Sequence, residues 1–192
     1  MPQESGRPLH LDPRAPFVIS THDLGRRPGS MRQVTRVVAA PDDLAVDLIG
    51  VPKGADVELD LRLEAVMEGV LVSGTARAPL AGECARCLDP LTSSIEVSFQ
   101  ELFFYTAEDA GEDDYILDGD LLDLEPVFRD AVVLALPLSP LCQDDCPGLC
   151  AECGTRLAEA GPDHRHDQID ARWAALQALK QDTPNTDNDQ EG

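Results

Sequence analysis

Cys142-Gln-Asp-Asp-Cys146-Pro-Gly-Leu-Cys150-Ala-Glu-Cys153-Gly154 holds four of the six cysteines of this 192-residue chain. The other two stand far upstream in Cys84-Ala-Arg-Cys87, and His164-Arg-His166 follows shortly downstream. Eight soft or borderline ligands thus fall into four close pairs. A Cys-x2-Cys pair suits zinc because a tight turn lets both thiolates reach one ion at about 2.3 Å. Gly154, directly after Cys153, fits such a turn, since glycine adopts positive φ without steric cost. Gly148 is a second tight-turn position. Two such pairs from distant parts of a chain complete a tetrahedral site and fix those parts together, so this stretch organises the fold.

Other uses of the cysteines fit less well. A thioredoxin-like Cys-x-x-Cys belongs at a strand-to-helix turn in a βαβ pattern, and neither pair has that context. Six cysteines could form three disulfides, but disulfides belong mainly to oxidising compartments. The opening residues Met1-Pro-Gln-Glu-Ser-Gly-Arg-Pro lack the apolar core of a signal peptide. The expectation is a cytoplasmic protein with one or two structural zinc ions.

Composition narrows the function. The formal net charge is −21 and the sequence pI is about 4.2. That charge opposes general binding to phosphate backbones. Residues 1–36 are the exception, with six arginines against three acids, so the remainder carries −24. No run of about 20 apolar residues offers a membrane helix. No Gly-rich phosphate loop, Gly-x-Ser-x-Gly or His-Glu-x-x-His occurs, so catalytic residues and a small-molecule substrate are not expected.

Along the chain, residues 1–16 read as a flexible, Pro-rich arm, with Phe17-Val-Ile19 as a short strand that anchors it. Leu24-Gly-Arg-Arg-Pro-Gly-Ser-Met31 is a turn with a basic tip; Arg26, Arg27, Arg32 and Arg36 are candidate contacts for RNA or an acidic partner. Val46–Val51 approaches a strand. Val57, Leu59, Leu61, Leu63 and Ala65 alternate with charged residues, the pattern of a half-buried strand. Val70–Ala78 reads as its antiparallel neighbour and Ser94–Tyr105 as a further strand, with the first cysteine pair between them. Phe103, Phe104 and Tyr105 read as packing residues. The acidic stretch 106–120 reads as a solvated loop. A helix is expected over 123–136, capped by Asp123 and ended by Pro137. It delivers the main cysteine stretch towards the first pair. After Gly154 the chain reads as irregular to Asp163. A second helix is expected from Asp170 to Lys180, with Trp173 packing on the metal knob, and then a disordered acidic tail over 181–192.

These readings define a mixed α+β fold: a β-rich domain over 17–141 whose antiparallel sheet could close into a barrel-like form, covered by the 123–136 helix. A Cys/His metal-binding segment with a C-terminal helix spans 142–180.

Glu83-Cys84-Ala-Arg-Cys87-Leu88, Asp123-Leu124 through Leu134-Ala-Leu-Pro137, and the stretch from Cys142 to Gly154 together resemble the YceD-like family, the large ribosomal RNA subunit accumulation proteins of bacteria and plastids. Leu24–Met31 resembles its actinobacterial branch. The resemblance covers roughly residues 17–180. It implies a role in accumulating large-subunit ribosomal RNA, hence ribosome biogenesis. Many relatives have Cys-x-Cys where this chain has His164-x-His166, and some lack the segment around Cys150 and Cys153. That variation implies two separable ligand sets: Cys84, Cys87, Cys142 and Cys146 in one, and Cys150, Cys153, His164 and His166 in the other. The alternative pairing joins Cys84 and Cys87 to Cys150 and Cys153.

The expected function is therefore a non-catalytic ribosome-biogenesis factor with structural zinc. Its expected partner is a ribosomal protein or assembly factor, typically basic, or else large-subunit rRNA. The alternatives are a metal- or thiol-dependent enzyme and a direct RNA-binding module that uses the basic arm.

Overall fold

The computed structural model describes residues 10–161 and 163–166. The expected helix at 170–180, Trp173 and the acidic tail lie outside the described residues. Two compact units divide the chain, one ending at Cys146 and the other starting at Pro147.

The first unit is built on an antiparallel ladder. β2 (Met31–Ala39) pairs with β5 (Asp56–Ala65), and β5 pairs with β6 (Gly69–Glu83). β5 obeys its alternating sequence: Val57, Leu59, Leu61, Leu63 and Ala65 are at most 1% exposed, while their charged neighbours face outward. Each large apolar side chain buried this way contributes about 1.5–3 kcal/mol. β6 and β7 (Pro90–Phe104) form a hairpin paired along its full length, from Gly69 opposite Phe104 to Glu83 opposite Pro90. On its other side β6 changes partner. Its pairing with β5 ends at Arg77, and β4 (Ile49–Gly50) takes over at Ala81. Pro79, which has no N–H to donate, stands in the gap. β3 (Ala45–Val46) pairs with β4, so the approach to a strand seen in the sequence is a tight two-strand turn. β8 (Tyr115–Ile116) joins the far side of β7 in parallel.

The barrel-like expectation is corrected. β2 lies at one edge and β8 at the other, and no pairing among the described residues joins them. The sheet stays open because a second, two-stranded sheet and a helix cover its apolar face, leaving nothing for closure to bury. β1 (Val18–Ser20) pairs with β9 (Leu121–Asp123), and α1 (Glu125–Ala135) follows directly. The helix expected from 123 therefore begins at 125, because Leu121–Asp123 is held extended by β1. Asp123 still serves the helix start: its Oδ1 accepts the Glu125 amide at 3.0 Å. Phe128 and Val132 on α1 are fully buried, and Phe128 stacks on Phe17 with ring centroids 4.9 Å apart. Phe103 is buried against Tyr115, as its packing role requires.

The acidic stretch is more ordered than a solvated loop. Besides β8, it supplies Asp118, whose carboxylate accepts the Leu11 amide at 2.7 Å and meets His10 Nδ1 at 3.1 Å. Asp120 does the same for β1: its carbonyl accepts the Thr21 amide, and its carboxylate meets His22. Residues 10–16 of the arm are thus tied to the body. In the second unit, the stretch expected to be irregular contains a short helix, α2 (Leu157–Ala160).

Two outcomes test this packing. Phe128→Ala removes a ring from a filled site and should lower unfolding free energy by about 3–5 kcal/mol, read from denaturant titration. The Leu11 amide, then His10, hold the Asp118 carboxyl below its ordinary value. Its contribution is present above that ordinary value and is lost as pH falls through the depressed one. Protection of the Leu11 amide against hydrogen exchange should fall over that acidic window and stay level above it.

Candidate metal centres

The tip of the β6–β7 hairpin is the first cysteine turn. Cys84 follows β6 and Cys87 stands three residues on, before Pro90 opens β7. The turn is closed by backbone bonds: the Leu88 amide donates to the Cys84 carbonyl at 2.9 Å, and the Cys84 amide to the Asp89 carbonyl at 2.9 Å. Leu88 takes a φ of +60° to make it. The second Cys-x2-Cys turn repeats the device: the Gly154 amide donates to the Cys150 carbonyl at 2.8 Å, and Gly154 has φ +71°. Glycine adopts that backbone freely, whereas a leucine there costs about 1–2 kcal/mol. The local bonds around the first turn hold Leu88 in place.

The chain after α1 returns to this tip. The Ala85 amide donates to the Pro140 carbonyl at 2.7 Å, and the Arg86 guanidinium to the Cys146 carbonyl at 2.9 Å. Cys84, Cys87, Cys142 and Cys146 then converge, with all four sulfurs within 4.8 Å of one another. Cys84 and Cys146 sulfurs are 3.8 Å apart, and Cys87 and Cys142 sulfurs 3.7 Å. Tetrahedral zinc with 2.3 Å bonds separates its sulfurs by about 3.8 Å. Cys84, Cys87 and Cys146 are buried, with Leu141 packed against them.

Titration behaviour points the same way. The Cys87 amide, aided by those of Arg86 and Cys142, outweighs burial and brings the Cys84 thiol down to about 6. At Cys87 the Asp89 amide acts downward, but burial and the neighbouring Cys84 and Cys146 prevail and push the thiol up to about 12. Cys142 is raised chiefly by Cys146. One sulfur carries charge easily and its neighbours then resist, because like charges share a small volume. A divalent cation removes that conflict, since coordinated thiols ionise outright. Arg86 sits beside the set, where its charge would offset the excess negative charge of four metal-bound thiolates.

In the second unit, Cys150, Cys153, His164 and His166 form another group within 4.8 Å. Cys150 Sγ lies 3.3 Å from His166 Nε2, Cys153 Sγ 3.5 Å from His164 Nε2, and the two Nε2 atoms are 3.0 Å apart. Tetrahedral zinc places such S–N pairs about 3.6 Å and N–N pairs about 3.3 Å apart. The Cys153 amide, then that of Glu152, lower Cys150; the Thr155 hydroxyl, then its amide, lower Cys153. Glu152 adds a carboxylate oxygen 3.5 Å from His166 Nδ1. A carboxylate there orients an imidazole ligand. Sequence reading missed Glu152, although its place inside the Cys-x2-Cys turn was the available signal. All six cysteines are free thiols.

The four candidate arginines are distributed differently. Arg36 donates to the Val18 carbonyl at 3.0 Å, and Arg32 meets Asp23 at 3.2 Å and the Ser20 carbonyl at 3.5 Å, so both brace β1. Arg26 lies over the Tyr105 ring, 4.8 Å from its centroid. Arg27 is exposed and has no side-chain partner among the described residues.

A β-rich unit whose hairpin tip gathers four cysteines, followed by a Cys/His turn, defines a protein with two knuckle-type ligand sets. The profile of the family described as large ribosomal RNA subunit accumulation protein YceD matches residues 72–180, a span that contains both sets. The chain belongs to this family. It is 45% identical to an uncharacterized protein of Mycobacterium tuberculosis over 92% of this chain and 87% of that one. A Mycobacterium leprae protein, also uncharacterized, is 42% identical over 90% and 82%. YlbN of Bacillus subtilis, likewise uncharacterized, is 28% identical over 64% and 72%. No solved structure matches the chain significantly.

The glycine in the second turn gives a direct test. Gly154→Ala meets no neighbouring atom within 4 Å, so its cost is conformational. It should weaken metal binding at the second set by about 1 kcal/mol, roughly fivefold, in competition titrations, and leave the four-cysteine set unchanged.

Proposed function

We propose that this protein is a non-catalytic ribosome-biogenesis factor that supports accumulation of large-subunit ribosomal RNA. In this reading, Cys84, Cys87, Cys142 and Cys146 hold one zinc ion, and Cys150, Cys153, His164 and His166 a second. The observation that carries it is the family match over 72–180, which contains both ligand sets. Zinc with four protein ligands is a closed, structural arrangement, whereas catalytic zinc keeps an open position. Its role here is to lock turns together.

The partner is a basic protein, a ribosomal protein or assembly factor, rather than bare RNA. Net charge −21 favours such a surface and repels phosphate backbones. Arg32 and Arg36 are engaged with β1, which leaves Arg27 as the arginine of the basic tip without a side-chain partner among the described residues. A thiol-based enzyme is the weaker reading. Cys84, whose thiol is brought down to about 6, is fully buried, while a nucleophilic cysteine needs access.

Depletion of the protein in its own cells should lower the ratio of large- to small-subunit ribosomal RNA. An unchanged ratio overturns the biogenesis role. Gently purified protein should carry two zinc ions per chain by mass spectrometry of metals. Tagged protein should retain its large-subunit protein partners after ribonuclease treatment; loss of every partner on that treatment would move the interaction to RNA.

A further inference from the structure

We propose that the Cys150, Cys153, His164 and His166 set is an exchangeable zinc site that responds to free zinc, whereas the four-cysteine set keeps its ion for the life of the fold. The proposal rests on the zinc reading above and goes beyond it: one chain carries a structural ion and a metal-responsive one.

Accessibility separates the two sets first. Cys84 is 0%, Cys146 3% and Cys87 7% exposed, and Cys142 is the one exposed member of that set. In the second set no ligand is buried, and Cys153 and His166 are exposed. Zinc accepts a fifth ligand without geometric penalty, so release proceeds by attack of an incoming donor on the ion. The second set admits that donor from several sides, whereas three buried ligands leave the four-cysteine set approachable only past Cys142.

Span separates them next. The four-cysteine set joins turns 55 to 62 residues apart. Opening it means parting the hairpin tip from the 140–146 segment, against the Ala85–Pro140 and Arg86–Cys146 bonds. The second set joins residues at most 16 apart. It opens by local loosening of one short stretch, which costs far less than disturbing a β-ladder.

Donor charge is the third difference. Four thiolates hold a divalent ion with four negative charges, and two thiolates with two neutral imidazoles hold it with two. The electrostatic grip is correspondingly weaker, and the low-dielectric surroundings that would strengthen it are missing. The ligands of the second set also frame α2, so zinc supply decides whether this short region is ordered. Free zinc then sets the state of the C-terminal unit without unfolding the β-rich one.

The test uses the full-length, zinc-loaded protein and the metal chelator 4-(2-pyridylazo)resorcinol in excess. Zinc should leave in two phases of equal amplitude, with rates differing at least roughly tenfold, the scale on which outer-shell support alone changes metal binding. After the fast phase, hydrogen exchange in β5, β6 and β7 should be unchanged. Cys150→Ser should remove the fast phase alone. Cadmium-113 exchanged into the native protein gives a check without substitution: the resonance of the mixed sulfur and nitrogen site should appear first. Release of both ions in one phase, or a fast phase that survives Cys150→Ser, overturns the proposal while leaving the zinc reading intact. Protein isolated gently without zinc overturns both.

Discussion

The constraint on which the β-rich unit depends is the convergence of four sulfurs at one end of its longest hairpin. β6 and β7 are paired over fifteen residues each, so their tip is a rigid platform. The segment after α1 has no strand or helix of its own between Pro137 and Cys146. Backbone that leaves a helix and adopts no regular structure loses its conformational freedom only if something holds its end. Two hydrogen bonds to the tip and four sulfurs do this. Because the helix immediately precedes that segment, the same closure limits how α1 can move on the sheet beneath it.

The opposite side of the unit is held by different forces. β1 and β9 form a small sheet whose pairing ties the start of the described chain to the entrance of α1. Arg36 and Arg32 reach the β1 carbonyls, and Asp118 and Asp120 hold the residues that flank β1. Residues near the start and acidic residues near 118–120 are therefore not independent: the Leu11 amide and His10 meet Asp118, and Thr21 and His22 meet Asp120. They meet across about 100 residues of sequence.

The two cysteine turns show one local solution reached by two sequences. Both use an amide three residues beyond the first cysteine to support its sulfur and a left-handed residue to end the turn. Glycine makes that position visible in Cys150-Ala-Glu-Cys153-Gly154. Leucine hides it in Cys84-Ala-Arg-Cys87-Leu88, where the surrounding bonds impose the conformation. Their surroundings then diverge, buried at the hairpin tip and exposed in the second unit, which is the basis for assigning them different behaviour.

The sequence by itself determined the features that rest on local pattern. Alternation over Val57–Ala65 set the central strand and its buried face, and cysteine spacing marked the turns. Pro137 marked the end of the helix. It could not show that Leu121–Asp123 is a strand, because those residues have helix-compatible types and only pairing with β1 holds them extended. It could not show that the sheet stays open, since closure depends on what covers the apolar face. Nor could it give Asp118 and Asp120 their partners, or bring Cys84 and Cys87 to Cys142 and Cys146. Those are meetings of residues distant in the chain, and their free energy exists only once the core has placed both ends within reach.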